Sequence, residues 1–280
     1  MITQKLKSNQ KSSYIDQTNR KIIFDAVPKK IISVVPSQTE LLYDLGLDEE
    51  VIGITKFCIH PEKWFREKMR IGGTKKLHIE KIKLLKPDLI IANKEENEKT
   101  QIEELAQHFN VWISDIKTLE DALNMIVSVG EIVDRNEKAQ LLKQSIGNEF
   151  EKLFFLKAAA KKTRTAYFIW KNPFMAAGEN TFIDDMLHKC GFENVFEKKI
   201  FSNIKNTRYP EISIEQIKAA NPELILLSSE PYPFKEKHLE EFKKICPNAI
   251  VKIVDGELFS WYGSRLLQSP NYFLELVKQL

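Results

Sequence analysis

The sequence predicts an α/β protein with two doubly wound α/β lobes joined by a single long helix. An internal echo is the first ground. Residues 79–93 (IEKIKLLKPDLIIAN) return 135 residues later as residues 214–228 (IEQIKAANPELILLS), with seven of fifteen positions identical and Asp88 matched by Glu223. An echo with constant internal spacing marks two units built on one plan. The pattern inside each copy is the second ground. Ile79, Ile82 and Lys83, then Ile214, Ile217 and Lys218, give a short amphipathic helix. Pro87 or Pro222 stops it, because proline disfavours helical geometry in the residue before it. Residues 89–92 and 224–227 follow as wholly apolar runs, which suit strands covered on both faces of a parallel sheet. The third ground is a helical pattern over residues 136–162 with neither strand nor proline. Leu141, Leu142, Ile146, Phe150, Leu153 and Phe154 mark its apolar face. It lies between the repeat copies and reads as the spacer between lobes 14–135 and 163–280.

In order along the chain, residues 1–13 are polar and read as disordered. Residues 14–25 suit a small hairpin turning near Thr18 and Asn19. Residues 31–35 form the first core strand. A helix to Leu45 follows, with Ser37 or Thr39 placed to cap it and Gly46 to end it. Strand 51–55, the loop KFCIHP, a Gly72-Gly73 turn, the first repeat copy, a helix up to Phe109, strand 111–114 and helix 119–133 complete the first lobe. The second lobe holds strand 165–169, helix 181–189, the second repeat copy, the loop SSEPYPF, helix 238–245, strand 250–254, the loop DGELFSWYGSR and a closing helix.

The bulk properties narrow the function classes. The chain has 280 residues, 43% hydrophobic and 29% charged, with a net charge of +3 that is too small to indicate nucleic acid. Three cysteines, Cys58, Cys190 and Cys246, have no CxxC spacing, so neither a disulfide framework nor a zinc finger is indicated. No stretch approaches a membrane span. The first seventeen residues carry no apolar run of signal-peptide length. As written, the sequence reads as a cytoplasmic, soluble monomer, or as periplasmic if a leader has been removed. Catalysis finds little support: P-loop, GxSxG, HExxH and GxGxxG patterns are all absent.

In parallel α/β sheets, ligands sit beyond the carboxyl ends of the strands. The segments to examine are therefore 36–39, 56–60, 170–179, 229–234 and 257–265. They hold Ser37, Phe57, Cys58, His60, Trp170, Phe174, Tyr232, Phe259, Trp261, Tyr262 and Arg265. That density of aromatics suits the apolar wall of a small-molecule pocket. Trp170, Phe174, Trp261 and Tyr262 could also be plain core, but the polar stretch Lys171-Asn172-Pro173 favours the cleft for Trp170, and at least one of Trp261 and Tyr262 is expected to face the ligand. Arg265 suits a carboxylate or phosphate through its planar fork, or a surface carboxylate. Cys58 and His60 pair a soft thiolate with an imidazole two residues on, a donor set for zinc, cobalt or iron. A buried thiol beside a structural histidine is the plainer reading, and Glu179 or Glu230 would have to supply a third ligand. Glu80 and Glu215 each take the second position of their helix, where the dipole favours a carboxylate.

With these residues in view, the chain resembles the iron-siderophore and vitamin B12 substrate-binding proteins of ABC importers, the class with a helical backbone between two lobes. The carrying stretches are VPKKIISVVPSQTELLYDLGL, GGTKKLHIEKIKLLKPDLIIA, RYPEISIEQIKAANPELILL and SWYGSR. The resemblance implies capture of a metal chelate (a corrinoid such as cobalamin, heme, or a ferric siderophore) in a cleft between the lobes, with no intrinsic cofactor. It implies that Glu80 and Glu215 dock to arginines of an ABC permease, and that Phe57 and Tyr209 occupy aromatic positions of the pocket. The Asp/Arg pair of the B12-binding members is replaced by Glu257 and Trp261, with Arg265 retained further on. The alternative is a cytosolic metal- or tetrapyrrole-handling protein or enzyme on the same fold.

Overall fold

The computed structural model describes residues 11–157, 162–197 and 207–280. Most of the polar segment expected over residues 1–13, and residues 158–161 of the expected spacer, lie outside them. The elements run in the order β1 (Ser12–Ile15), β2 (Lys21–Phe24), β3 (Ile31–Ser33), α1 (Pro36–Asp44), β4 (Val51–Ile54), α2 (Glu62–Glu67), β5 (Met69–Arg70) and α3 (Ile79–Leu85). Next come β6 (Leu89–Asn93), α4 (Lys99–Ala106), β7 (Val111–Ser114), α5 (Leu119–Ile132), α6 (Asn136–Lys157), β8 (Thr163–Trp170), β9 (Met175–Ala176), α7 (Phe182–Cys190) and β10 (Phe192–Asn194). The chain closes with α8 (Ile214–Ala220), β11 (Leu224–Ser228), α9 (Glu236–Ile245), β12 (Ile250–Val254), α10 (Gly256–Ser260), a 3-10 turn (Ser264–Leu267) and α11 (Ser269–Lys278).

The chain divides into two compact units. The first takes the chain up to Ile116, Glu120–Gln144 and Tyr262–Ser264. Its sheet is wholly parallel, in the order β5-β4-β3-β6-β7. The second takes Lys117–Leu119, Ser145–Trp261 and Arg265–Leu280. Its sheet runs β10-β8-β11-β12, all parallel, with β9 antiparallel against β8. The interior strands β6 and β11 are each buried at every residue, as a strand covered on both faces must be. Helix α6 starts in the first unit and continues into the second. Its buried stripe is Ile146, Phe150 and Leu153, while Leu141 and Phe154 stay exposed. Leu141 departs from the expected face because five residues place it about 140° around the helix from Ile146.

The sequence echo is also a structural one. Lys86 and Asn221 both end their helices in the left-handed region, at φ 48° and 45°, directly before the prolines. The next acidic residue then fastens the start of the neighbouring strand. Asp88 accepts from the backbone N–H groups of Lys29 and Lys30, and Glu223 accepts from that of Arg164. This shared bond explains why Asp88 and Glu223 are both acidic.

Several local expectations need correction. Helix α1 has Val35 at its N-cap and Pro36 in its first turn, and neither Ser37 nor Thr39 caps it. Pro36 presets helical φ and has no N–H to satisfy, so a side-chain cap is less needed. Thr39 instead turns its hydroxyl to Val35 O. The DGELFSWYGSR segment is not a plain loop. Asp255 accepts from Glu257 N and so caps the short helix α10. No helix among the described residues is long and apolar enough to cross a membrane.

Candidate functional site

The carboxyl ends of the second unit's strands gather an interlocked polar and aromatic set. Strand β11 leads through Ser228 and Ser229 to Glu230. Strand β12 leads through Asp255 into α10. The two ends approach closely at Gly256, where a Cβ would stand 2.3 Å from Ser228 Oγ and 2.7 Å from Glu230 Cγ. Only a glycine allows that approach. Glu230 Oε1 then accepts from Ser260 Oγ at 2.8 Å and from Trp261 Nε1 at 2.9 Å. Arg265 stacks its guanidinium 4.7 Å from the Trp261 ring centre and pairs with Glu257 at 2.6 Å. The indole is thus gripped at its N–H and covered on its face.

The replacement expected from the resemblance therefore takes a different form. The acid and arginine are both present, as Glu257 and Arg265, and Trp261 is the surface on which the arginine lies. Glu230, Glu257 and Ser260 organise this set; sequence reasoning offered Glu230 as a third metal ligand and Glu257 as the family pair's replacement, and it did not name Ser260. The N-cap signal of Asp255 was the readable hint for α10. The eight-residue reach from Glu257 to Arg265 was not readable.

At the end of β8, Trp170 is 39% exposed and meets Tyr232 edge-on at 5.6 Å. Tyr232 packs in turn against Phe234 and His238. Burial, with the charges of Lys171 and Lys237, holds the His238 imidazole below its usual range, and its Nδ1 accepts from Lys235 N. Phe174, expected at the ligand, instead leans into the core against Phe168 and Phe242 at 6.0 and 5.1 Å. Tyr209 is half-buried, its N–H on Thr207 Oγ1.

In the first unit, Phe57 is half exposed beyond β4, with Lys56 Nζ 5.0 Å from its ring. Cys58 corrects the expectation most firmly. It is fully buried, its Sγ 3.1 Å from both Thr39 Oγ1 and Thr55 Oγ1. Burial pushes the thiol up, away from the thiolate that would bind metal. Among the described residues, Cys58 and His60 belong to no cluster of metal-ligating groups. His60 is half-buried. Ser37 and Tyr262 are buried, and Tyr262 belongs to the first unit while Trp261 and Arg265 belong to the second.

Glu80 and Glu215 occupy equivalent places in the repeated unit. Both are exposed, and each has a lysine three residues on, Lys83 and Lys218. Glu80 pairs with Lys83 at 3.1 Å. Bonds from its own N–H and the Ser213 hydroxyl lower the pKa of Glu215, so it stays ionised further into acid.

Comparison with known proteins places the chain. A vitamin B12-binding protein of Pectobacterium atrosepticum is 27% identical over 263 residues, covering 91% of this chain and 90% of that one. Among solved structures, the periplasmic vitamin B12-binding protein BtuF of Vibrio cholerae superposes with a TM-score of 0.76 at 22% identity, covering 91% of this chain and 99% of that one. A periplasmic heme-binding protein from Pseudomonas aeruginosa superposes with a TM-score of 0.72 at 18% identity, covering 90% and 92%. These likenesses carry the mixed α/β fold with parallel sheets in two units. The family model described as periplasmic binding protein matches residues 31–246, and the chain belongs to the periplasmic binding protein family.

Proposed function

We propose that this protein captures a metal chelate of the cobalamin, heme or ferric-siderophore class for an ABC importer. The ring of Trp170, 39% exposed at the end of β8, carries the reading: it gives a flat ligand an aromatic surface at the strand ends. The buried indole of Trp261, held by Glu230 and covered by Arg265, supports the same end of the sheet from beneath the surface. Tyr232 beside Trp170, and Tyr209, supply further contact in the second unit. In the first unit, Phe57 is the ring proposed to touch ligand. Ser37 and Tyr262 are too buried to offer more than support, the Phe174 ring is turned to Phe168 and Phe242, and the buried thiol of Cys58 removes it as a contact.

Among the three classes, the vitamin B12-binding relatives favour a corrinoid. Purified protein titrated with cyanocobalamin, hemin and a ferric hydroxamate, read by calorimetry and melting temperature, tests it. One-to-one binding of at least one chelate supports the reading. A flat response to all three overturns it.

Docking of Glu80 and Glu215 to a permease is part of the same proposal. It rests on their matched, exposed positions. It expects Glu80→Ala with Glu215→Ala to abolish stimulation of the transporter ATPase while chelate affinity stays unchanged. Unaltered stimulation would refute it. That role sets the protein on the outer side of the cytoplasmic membrane, which cell fractionation checks.

A further inference from the structure

The geometry points to a binding site for a divalent transition metal in the second unit, formed by Asp184, His188 and Glu197, separate from the strand-end set. Asp184 and His188 stand four residues apart on α7, so they share one face of the helix. Glu197 arrives from the segment after β10. One donor atom from each of the three lies within 4.8 Å of the others. His188 Nε2 is 2.7 Å from Glu197 Oε1.

Burial separates this cluster from a solvated acidic patch. Asp184 is 8% exposed and Glu197 4% exposed, so two carboxylates share a space largely closed to water. A dication offsets the cost of holding two carboxylates together there. The donor set of one imidazole and two carboxylates suits zinc and its first-row neighbours. Bonds of about 2.1 Å to one centre require donors no more than about 4.2 Å apart, against the 4.8 Å within which these three donor atoms lie.

A supporting residue is also in place. Asn194 is fully buried and donates Nδ2 to Asp184 Oδ1 at 2.8 Å and to Ala177 O at 3.1 Å. Its Oδ1 accepts from Phe196 N. This fixes the carboxylate as outer partners fix metal ligands. The imidazole is the exposed member. A metal here would pin α7 to the chain after edge strand β10.

Chelator-treated protein titrated with Zn2+ by calorimetry, and with Co2+ followed by visible absorption, tests the site. We expect one equivalent bound in the wild type and a rise in melting temperature with Zn2+. His188→Ala changes an exposed side chain, and circular dichroism of each variant checks that it is folded. His188→Ala and Asp184→Asn should each weaken Zn2+ binding by more than the roughly 10- to 100-fold that losing an outer partner costs. No stoichiometric binding in the wild type, or equal binding in the wild type and both variants, would overturn the proposal. Chelate affinity should be the same in His188→Ala as in the wild type, so this site and the proposed function fail independently.

Discussion

Replacing Glu230 by alanine probes how the Trp261 indole is held. A single carboxylate oxygen accepts from Trp261 Nε1 at 2.9 Å and from Ser260 Oγ at 2.8 Å. Trp261 is 6% exposed, so its N–H cannot turn to water without displacing the ring. A buried donor stripped of its acceptor costs about 1–3 kcal/mol. Ser260 is only half-buried, and its hydroxyl rotates freely toward solvent, so its share is small. We therefore expect Glu230→Ala to destabilise the second unit by about 1–3 kcal/mol. Glu230→Gln should cost less, because the amide oxygen still accepts. A double-mutant cycle with Trp261→Phe isolates the bond, and its coupling energy should fall near the roughly 1.5–3 kcal/mol of a hydrogen bond to a charged group. Urea unfolding followed by circular dichroism and tryptophan emission provides the assay, fitted with a separate transition for each unit. A loss under about 0.5 kcal/mol, the range of inert surface changes, with no coupling to Trp261 would refute the assignment.

Other expectations concern the core and the titrating groups. Phe242 is fully buried and meets the rings of Phe168, Phe174 and Phe234 at 4.8, 5.1 and 6.1 Å. Phe242→Ala should cost about 3–5 kcal/mol in the same unfolding assay. His238 is held neutral by burial. The unfolded chain takes up that proton first as pH falls below about 6.5, so stability should decline from there until the folded imidazole also protonates. Melting temperature measured between about pH 5 and 8 should show that slope in the wild type and a shallower one in His238→Gln. Cys58 and Cys190 are buried and Cys246 half-buried. A thiol reagent should modify Cys58 only after unfolding, and rapid labelling of it in the native protein would contradict its placement.

Much of the fold was legible because its signals are local. The helix–proline–strand unit lies within fifteen consecutive residues, and its copy confirmed the plan. Edge strands β5, β9 and β10 were not legible, since two or three residues carry no periodicity. The site was legible as a set of segments beyond strand ends but not as a set of contacts. Nothing in the sequence joins Glu230 to Trp261 thirty-one residues later, or Glu257 to Arg265. For Cys58, sequence placed the residue in a strand-end loop. Which way its thiol turns depends on Thr39 and Thr55, and that turn decides between ligand and core.

Truncation of Trp170 bears most directly on capture at the strand ends. The ring is 39% exposed, so Trp170→Ala should leave the fold intact while removing contact area. Calorimetric titration with the chelate that binds the wild type should show a dissociation constant raised about tenfold or more, the equivalent of about 1.4 kcal/mol lost at an aromatic anchor. An unchanged constant in a folded variant would contradict capture at this surface.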